Sequence, residues 1–107
     1  MKEGIVLTKI DDRGVAEVSL NRPERNNAYN SEMISELIKS FTSLYENNDV
    51  RIVMIRGLGK HFQGGADLEW LKEIGKLNEQ QNIEVSRKTA SAIKGLIEFP
   101  KPTIAMI

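Results

Sequence analysis

The stretch of this chain with the most chemical promise is Lys60-His61-Phe62-Gln63-Gly64-Gly65-Ala66-Asp67-Leu68, directly after the apolar run Ile52-Val53-Met54-Ile55. It reads as a buried strand, a glycine-rich turn and a helix beginning at Asp67. Such a turn exposes backbone N–H groups at a helix start, where they bind an anion or a developing oxyanion. The plainer reading of the same residues is a strand-to-helix turn with Asp67 as the helix cap. Other groups with chemical potential are fewer. His61 is the only histidine, and its place ahead of the turn suits a surface or packing role. Glu69 and Glu73 stand four apart on one helical face and read as a solvated pair. Gly57-Leu58-Gly59-Lys60 follows a strand, but a phosphate loop needs Ser or Thr after its lysine, and here His61 follows.

The elements that must hold this turn are legible from periodicity. Ile5 to Ile10 reads as a first strand and Asp11-Asp12-Arg13-Gly14 as a turn. Val15 to Leu20 alternates, with Ala16, Val18 and Leu20 on one face, so the two runs predict a β-hairpin. Asn21 to Asn27 is polar, contains Pro23 and reads as a loop. Asn30 or Ser31 caps a helix whose apolar stripe is Met33, Ile34, Leu37, Ile38, Phe41, Leu44 and Tyr45. Asn47-Asn48-Asp49 ends it. Val50 to Arg56 predicts a strand buried on both faces, paired in parallel across the helical crossover. After the glycine turn, Asp67 to Ile74 is a short helix, broken by Gly75 to Asn78. Glu79 to Glu98 is a longer helix with Ile83, Ala90, Ile93, Leu96 and Ile97 as its apolar side. Pro100 and Pro102 stop it, and Thr103 to Ile107 predicts another buried strand.

Bulk composition sets bounds. The 107 residues suffice for one small domain, and 40% apolar with 28% charged residues is ordinary for a folded chain. Fifteen basic and 15 acidic residues cancel, which leaves no electrostatic footprint for nucleic acid or anionic membrane. The absence of cysteine removes disulfide frameworks, cysteine nucleophiles and zinc knuckles. Met1-Lys2-Glu3-Gly4 leads into a strand-like run instead of a long apolar signal segment. Apolar runs are too short to span a membrane, and a cytoplasmic location is the expectation.

Three segments together resemble the enoyl-CoA hydratase/isomerase (crotonase) family. Leu20-Asn21-Arg22-Pro23, followed by Asn27-Ala28, resembles its first signature. Gly57, Gly59 and Phe62 through Leu68 look like its F-x-x-G-A-D-L turn. Lys101-Pro102-Thr103-Ile104-Ala105 looks like the K-P-x-I-A strand that precedes its third signature. The resemblance implies an α/β fold, the N-terminal portion of a ββα spiral, usually assembled as trimers or dimers of trimers. It also implies acyl-CoA thioester substrates, coenzyme A entering only as part of the substrate, and no metal. Two backbone N–H groups would polarise the thioester carbonyl, and hydratases add two glutamates that handle water and its proton.

Carried over residue by residue, the resemblance makes Ala66 the first oxyanion donor through its backbone N–H, with Gly65 allowing close approach. Ala66, Asp67 and Leu68 would line the thioester and pantetheine path. Glu24, Arg25 and Ala28 align with the segment that contacts the nucleotide end of coenzyme A. Arg22, Arg25 and Lys60 are candidate phosphate contacts, Arg25 foremost because it lies in the first signature. Gln63-Gly64 stands where the family often carries Cys, Ser or Ala and then Ala. Trp70, in an A-D-L-x-W arrangement, is similar to the methylglutaconyl- and isohexenylglutaconyl-CoA hydratase branch.

The third signature would begin just after Ile107, so residues 1–107 read as the N-terminal part of one such domain. The expected parent reaction is reversible hydration of a 2-enoyl-CoA. Another acyl-CoA chemistry on the same fold (isomerase, decarboxylase, dehalogenase or hydrolase) and a non-catalytic CoA-binding or assembly half-domain stand beside it. The second oxyanion donor and the hydratase glutamates lie at and beyond that signature, so the 107 residues alone are expected to catalyse little. An apolar last strand predicts either covering polypeptide or tight self-association.

Overall fold

The computed structural model describes residues 4–107. The reading of the chain's first residues, Met1 to Glu3, lies outside them. Four strands and three α-helices follow in order: β1 (Val6–Ile10), β2 (Val15–Leu20), α1 (Ser31–Glu46), β3 (Ile52–Gly57), α2 (Leu68–Ile74), α3 (Glu79–Ile97) and β4 (Thr103–Met106). The strands form one sheet in the order β1-β2-β3-β4. The hairpin β1–β2 is antiparallel, whereas β2–β3 and β3–β4 are parallel. Both parallel pairs are joined through helices, as parallel connections require.

Register explains the core. Ala16 pairs with Val53 and Val18 with Ile55, and all four are buried on one face of the sheet. Leu20, Met33, Phe41, Leu44 and Val50 complete that layer, with Leu37, Leu96 and Phe99 packed against it. The opposite face carries Glu17, which bonds Arg56 at 3.3 Å across the β2–β3 pair. Helix α1 begins as its sequence dictates: the Asn30 side chain accepts the Met33 N–H at 3.0 Å. At the start of α3, Asn78 and Gln81 form a reciprocal capping box.

Several sequence expectations shift. Strand β1 starts at Val6 and not Ile5, and the loop after β2 contains a 3-10 turn at Pro23–Arg25. Tyr45, placed on the apolar stripe of α1, is exposed. Strand β3 is not buried on both faces: Val53 and Ile55 are buried, whereas Ile52 and Met54 are half-buried. The apolar side assigned to α3 is mostly the wrong one. Its Ala92 is the buried residue, flanked by half-buried Val85, Thr89 and Leu96, while Ile83, Ala90, Ile93 and Ile97 are exposed. The small residues Thr89 and Ala92 face inward because α1 approaches there. Strand β4, expected to be buried, is the sheet's edge, and all four of its residues are exposed. Among the described residues it pairs on one side only, with β3.

Candidate active-site turn

The glycine-rich turn is built from the inside out. Asn27 is fully buried and adopts φ 58°, a left-handed conformation that asparagine tolerates. Its side-chain amide donates to the carbonyls of Leu58 (2.9 Å) and His61 (2.7 Å), and its carbonyl oxygen accepts the Arg22 N–H at 2.8 Å. One buried asparagine thus ties the loop after β2 to the loop after β3. Gly64 lies tight against this loop, since a Cβ there would come within 2.8 Å of the Asn26 carbonyl oxygen.

Tyr29 then fixes the turn itself. Its N–H donates to the Gly65 carbonyl and its carbonyl accepts the Asp67 N–H, each at 2.9 Å. This is an isolated parallel bridge opposite Ala66. In such a bridge the intervening residue turns its own N–H away from the partner. Among the described residues, the Ala66 N–H accordingly donates to no acceptor. Ala66 is half-buried, with the exposed Leu68 two residues on. The donor precedes the cap of α2 and is not one of that helix's own end groups. The bridge to Tyr29, not the seven-residue α2, aims it.

Asp67 is occupied structurally. Its carboxylate accepts the Trp70 N–H at 3.1 Å and a guanidinium N–H of Arg22 at 2.9 Å. The side chains of Arg22 and Asp67 are 13% and 6% exposed, so this is a desolvated ion pair. The Trp70 N–H, and then Arg22, hold the Asp67 carboxyl below the usual aspartate range, against the opposing effect of burial. Arg22 also donates to the Ala28 carbonyl at 2.7 Å. Trp70 closes the other side, giving its indole N–H to Ser31 at 2.7 Å and meeting Tyr29 edge-on with centroids 5.6 Å apart.

The structure thus brings Gly65, Ala66, Asp67 and Leu68 together with Arg22, Asn27 and Tyr29. Arg22, read as a candidate phosphate contact, is instead an internal strut, because both ends of its fork are spent on Ala28 and Asp67. Ala28 is buried beneath it. Glu24 and Arg25 are exposed on the 3-10 turn, where Arg25 reaches Glu69 at 3.4 Å. That leaves Glu69 in an exposed ion pair with Arg25. Lys60 and His61 are exposed. Tyr29 was missed from the sequence, since a lone aromatic after a loop carries no signal of a bridge to a residue far along the chain. Beside the turn, Gln63, Leu20, Tyr29, Met33, Leu37 and Thr89 are among the residues lining an apolar cavity of about 190 Å3.

This is an α/β fold whose glycine turn presents an unpaired backbone donor beside an apolar cavity, and comparison with known proteins names the class. Residues 11–107 match the enoyl-CoA hydratase/isomerase family, and the chain belongs to it. It is 32% identical over 112 residues to the peroxisomal Delta(3,5)-Delta(2,4)-dienoyl-CoA isomerase of Arabidopsis thaliana, covering 95% of this chain and 40% of that protein. It is 33% identical over 95 residues to the mitochondrial enoyl-CoA hydratase domain-containing protein 2 of Homo sapiens, covering 88% of this chain and 32% of that protein. The crystal structure of an enoyl-CoA hydratase from Shewanella pealeana superposes with a TM-score of 0.91 at 33% identity, covering 94% of this chain and 38% of that one. The fold is therefore of the crotonase type, and the chain spans between 31% and 40% of the length of the curated relatives it matches. No helix among the described residues is long and apolar enough to cross a membrane.

Proposed function

We propose that this chain provides the thioester-polarising part of an enzyme that acts on 2-enoyl-CoA, with reversible hydration as the reaction. The observation that carries the reading is the Ala66 N–H: it is unpaired, held in a fixed direction by the Tyr29 bridge and flanked by an exposed Leu68. A thioester oxygen gains negative charge as the α-carbon becomes enolate-like. A fixed dipole stabilises that charge without reorganising, and one such donor is worth about 3–4 kcal/mol in the transition state. Leu68 suits the pantetheine arm, and the apolar cavity beside Gln63 suits an acyl chain. Glu24 and Arg25, exposed on the 3-10 turn, suit the nucleotide end, which Ala28 supports from below. A hydratase and an isomerase both begin by polarising the same carbonyl, and the relatives' names include both.

Acid–base chemistry has no clear agent here. The carboxylate next to the donor, Asp67, is locked to Arg22 and Trp70 and stays ionised. The chain by itself therefore binds and polarises but turns over slowly. Titration with crotonyl-CoA and with free coenzyme A tests this. The expected result is crotonyl-CoA binding about tenfold tighter than coenzyme A, the value of one good hydrogen bond. Equal binding of the two, or none, overturns the reading. Hydration of crotonyl-CoA by the chain at an ordinary enzyme rate overturns the statement about turnover.

A further inference from the structure

We infer that Gln63 is a positioning residue for the Ala66 donor: its side-chain amide locks the Gly65–Ala66 peptide plane in the one orientation that points the Ala66 N–H outward. The inference rests on the reading of Ala66 given above and deepens it.

The geometry is specific. The Gln63 side-chain oxygen accepts the Gly65 N–H at 2.8 Å. Its nitrogen donates to the Gly65 carbonyl at 3.0 Å and to the Asn27 carbonyl at 3.1 Å. Gln63 therefore grips both polar groups of Gly65 and anchors them to the buried Asn27. The Gly65 carbonyl and the Ala66 N–H belong to one planar trans peptide, so they point in opposite directions. Whatever holds the carbonyl on one side aims the N–H at the other. Two donors hold it, the Tyr29 N–H and the Gln63 amide.

Such a lock answers a real weakness. Gly65 sits at φ 86°, and no atom lies within 4 Å of where its Cβ would be. A glycine in open space restricts its own rotation very little. Without Gln63, the Tyr29 bond alone resists a flip of this peptide, and a flip would replace the donor by a carbonyl that repels the thioester oxygen.

The test compares two probes, butyryl-CoA and its thioether S-butyl-CoA, which lacks the carbonyl. Their affinity ratio reads the donor and cancels every other contact. The wild-type ratio is expected to be about tenfold. Gln63→Leu, which lacks the amide, should bring the ratio to about two or less, because any change it makes in the cavity acts on the four-carbon chain of both probes alike. Gln63→Glu keeps an acceptor for the Gly65 N–H but sets oxygen against the two carbonyls, so it should lose the ratio as well. A Gln63→Leu protein with the full wild-type ratio overturns the inference and leaves the reading of Ala66 intact. Equal weakening of both probes also overturns it, because the role is then only structural. A wild-type protein that binds both probes equally removes the reading of Ala66 and the inference with it.

Discussion

At the scale of single residues, the turn separates groups that touch a ligand from groups that hold the backbone. Ala66 offers a backbone atom, so its side-chain identity tells little about its role. Asp67, by contrast, offers a carboxylate beside the donor but uses it on the cap of α2 and on Arg22. Its shifted ionisation makes a pH prediction. The folded-state pKa lies below that of the unfolded chain, so the stabilisation is complete above the ordinary aspartate value of about 4. It is lost as pH falls through the lowered folded value. Urea denaturation between neutral and acid pH should show this slope, and Asp67→Asn should flatten it. A smaller slope should persist, because the Arg13 side chain, together with the Val15 and Arg13 N–H groups, also holds the Asp11 carboxyl down. An unchanged slope in Asp67→Asn would contradict the buried ion pair.

At the scale of elements, the hairpin and α1 follow their sequence patterns closely, β3 lies where expected but is buried on one face only, and α3 turns a different side inward. In α1, the apolar residues recur on one face, where Met33, Phe41 and Leu44 join the sheet's core and Ile34 and Ile38 meet Trp70 and Ala92. In α3, isoleucines at 83, 93 and 97 promise a core side that the packing does not use. The helix docks through Val85, Thr89, Ala92 and Leu96, and the small Thr89 and Ala92 let the helices approach. Two substitutions weigh this. Leu44→Ala, at a position 1% exposed, should cost about 2–5 kcal/mol in chemical denaturation. Ile97→Ser, at a position 75% exposed, should change stability by no more than about 0.5 kcal/mol. Comparable losses in the two variants would mean that the outer face of α3 is buried in solution.

At the scale of the whole molecule, one sheet carries helices on one face, and its β4 edge is uncovered. Ile104 is 42% and Met106 50% exposed on that edge. A flat apolar edge with unpaired backbone groups is a template for further strands. Sedimentation velocity over a concentration series should therefore show self-association. Ile104→Lys should shift the population toward monomer, because a lysine on an edge strand opposes pairing. A protein monomeric at all concentrations, with Ile104→Lys no different, would show that β4 does not drive assembly. The trimers expected from family resemblance are one form such association can take.

Local rules of side-chain chemistry and periodicity made much of the fold legible in the residues alone. Period-two and period-3.6 patterns located the hairpin and α1, and the short apolar run Ile52 to Ile55 located β3. Asn30 and Asp67 capped their helices as side-chain chemistry requires, and three short signatures in register carried the family. Tertiary structure alone decided which side of α3 is the inside, because a helix with apolar residues around much of its girth is oriented by its neighbours. It alone decided that Arg22 pairs with Asp67, that Asn27 and Tyr29 hold the turn, and that Gln63 grips Gly65. Those partners are far apart in sequence or meet through backbone atoms, and backbone atoms are the same in every residue. The direction of the Ala66 N–H follows from that long-range pairing, so no local pattern could have supplied it.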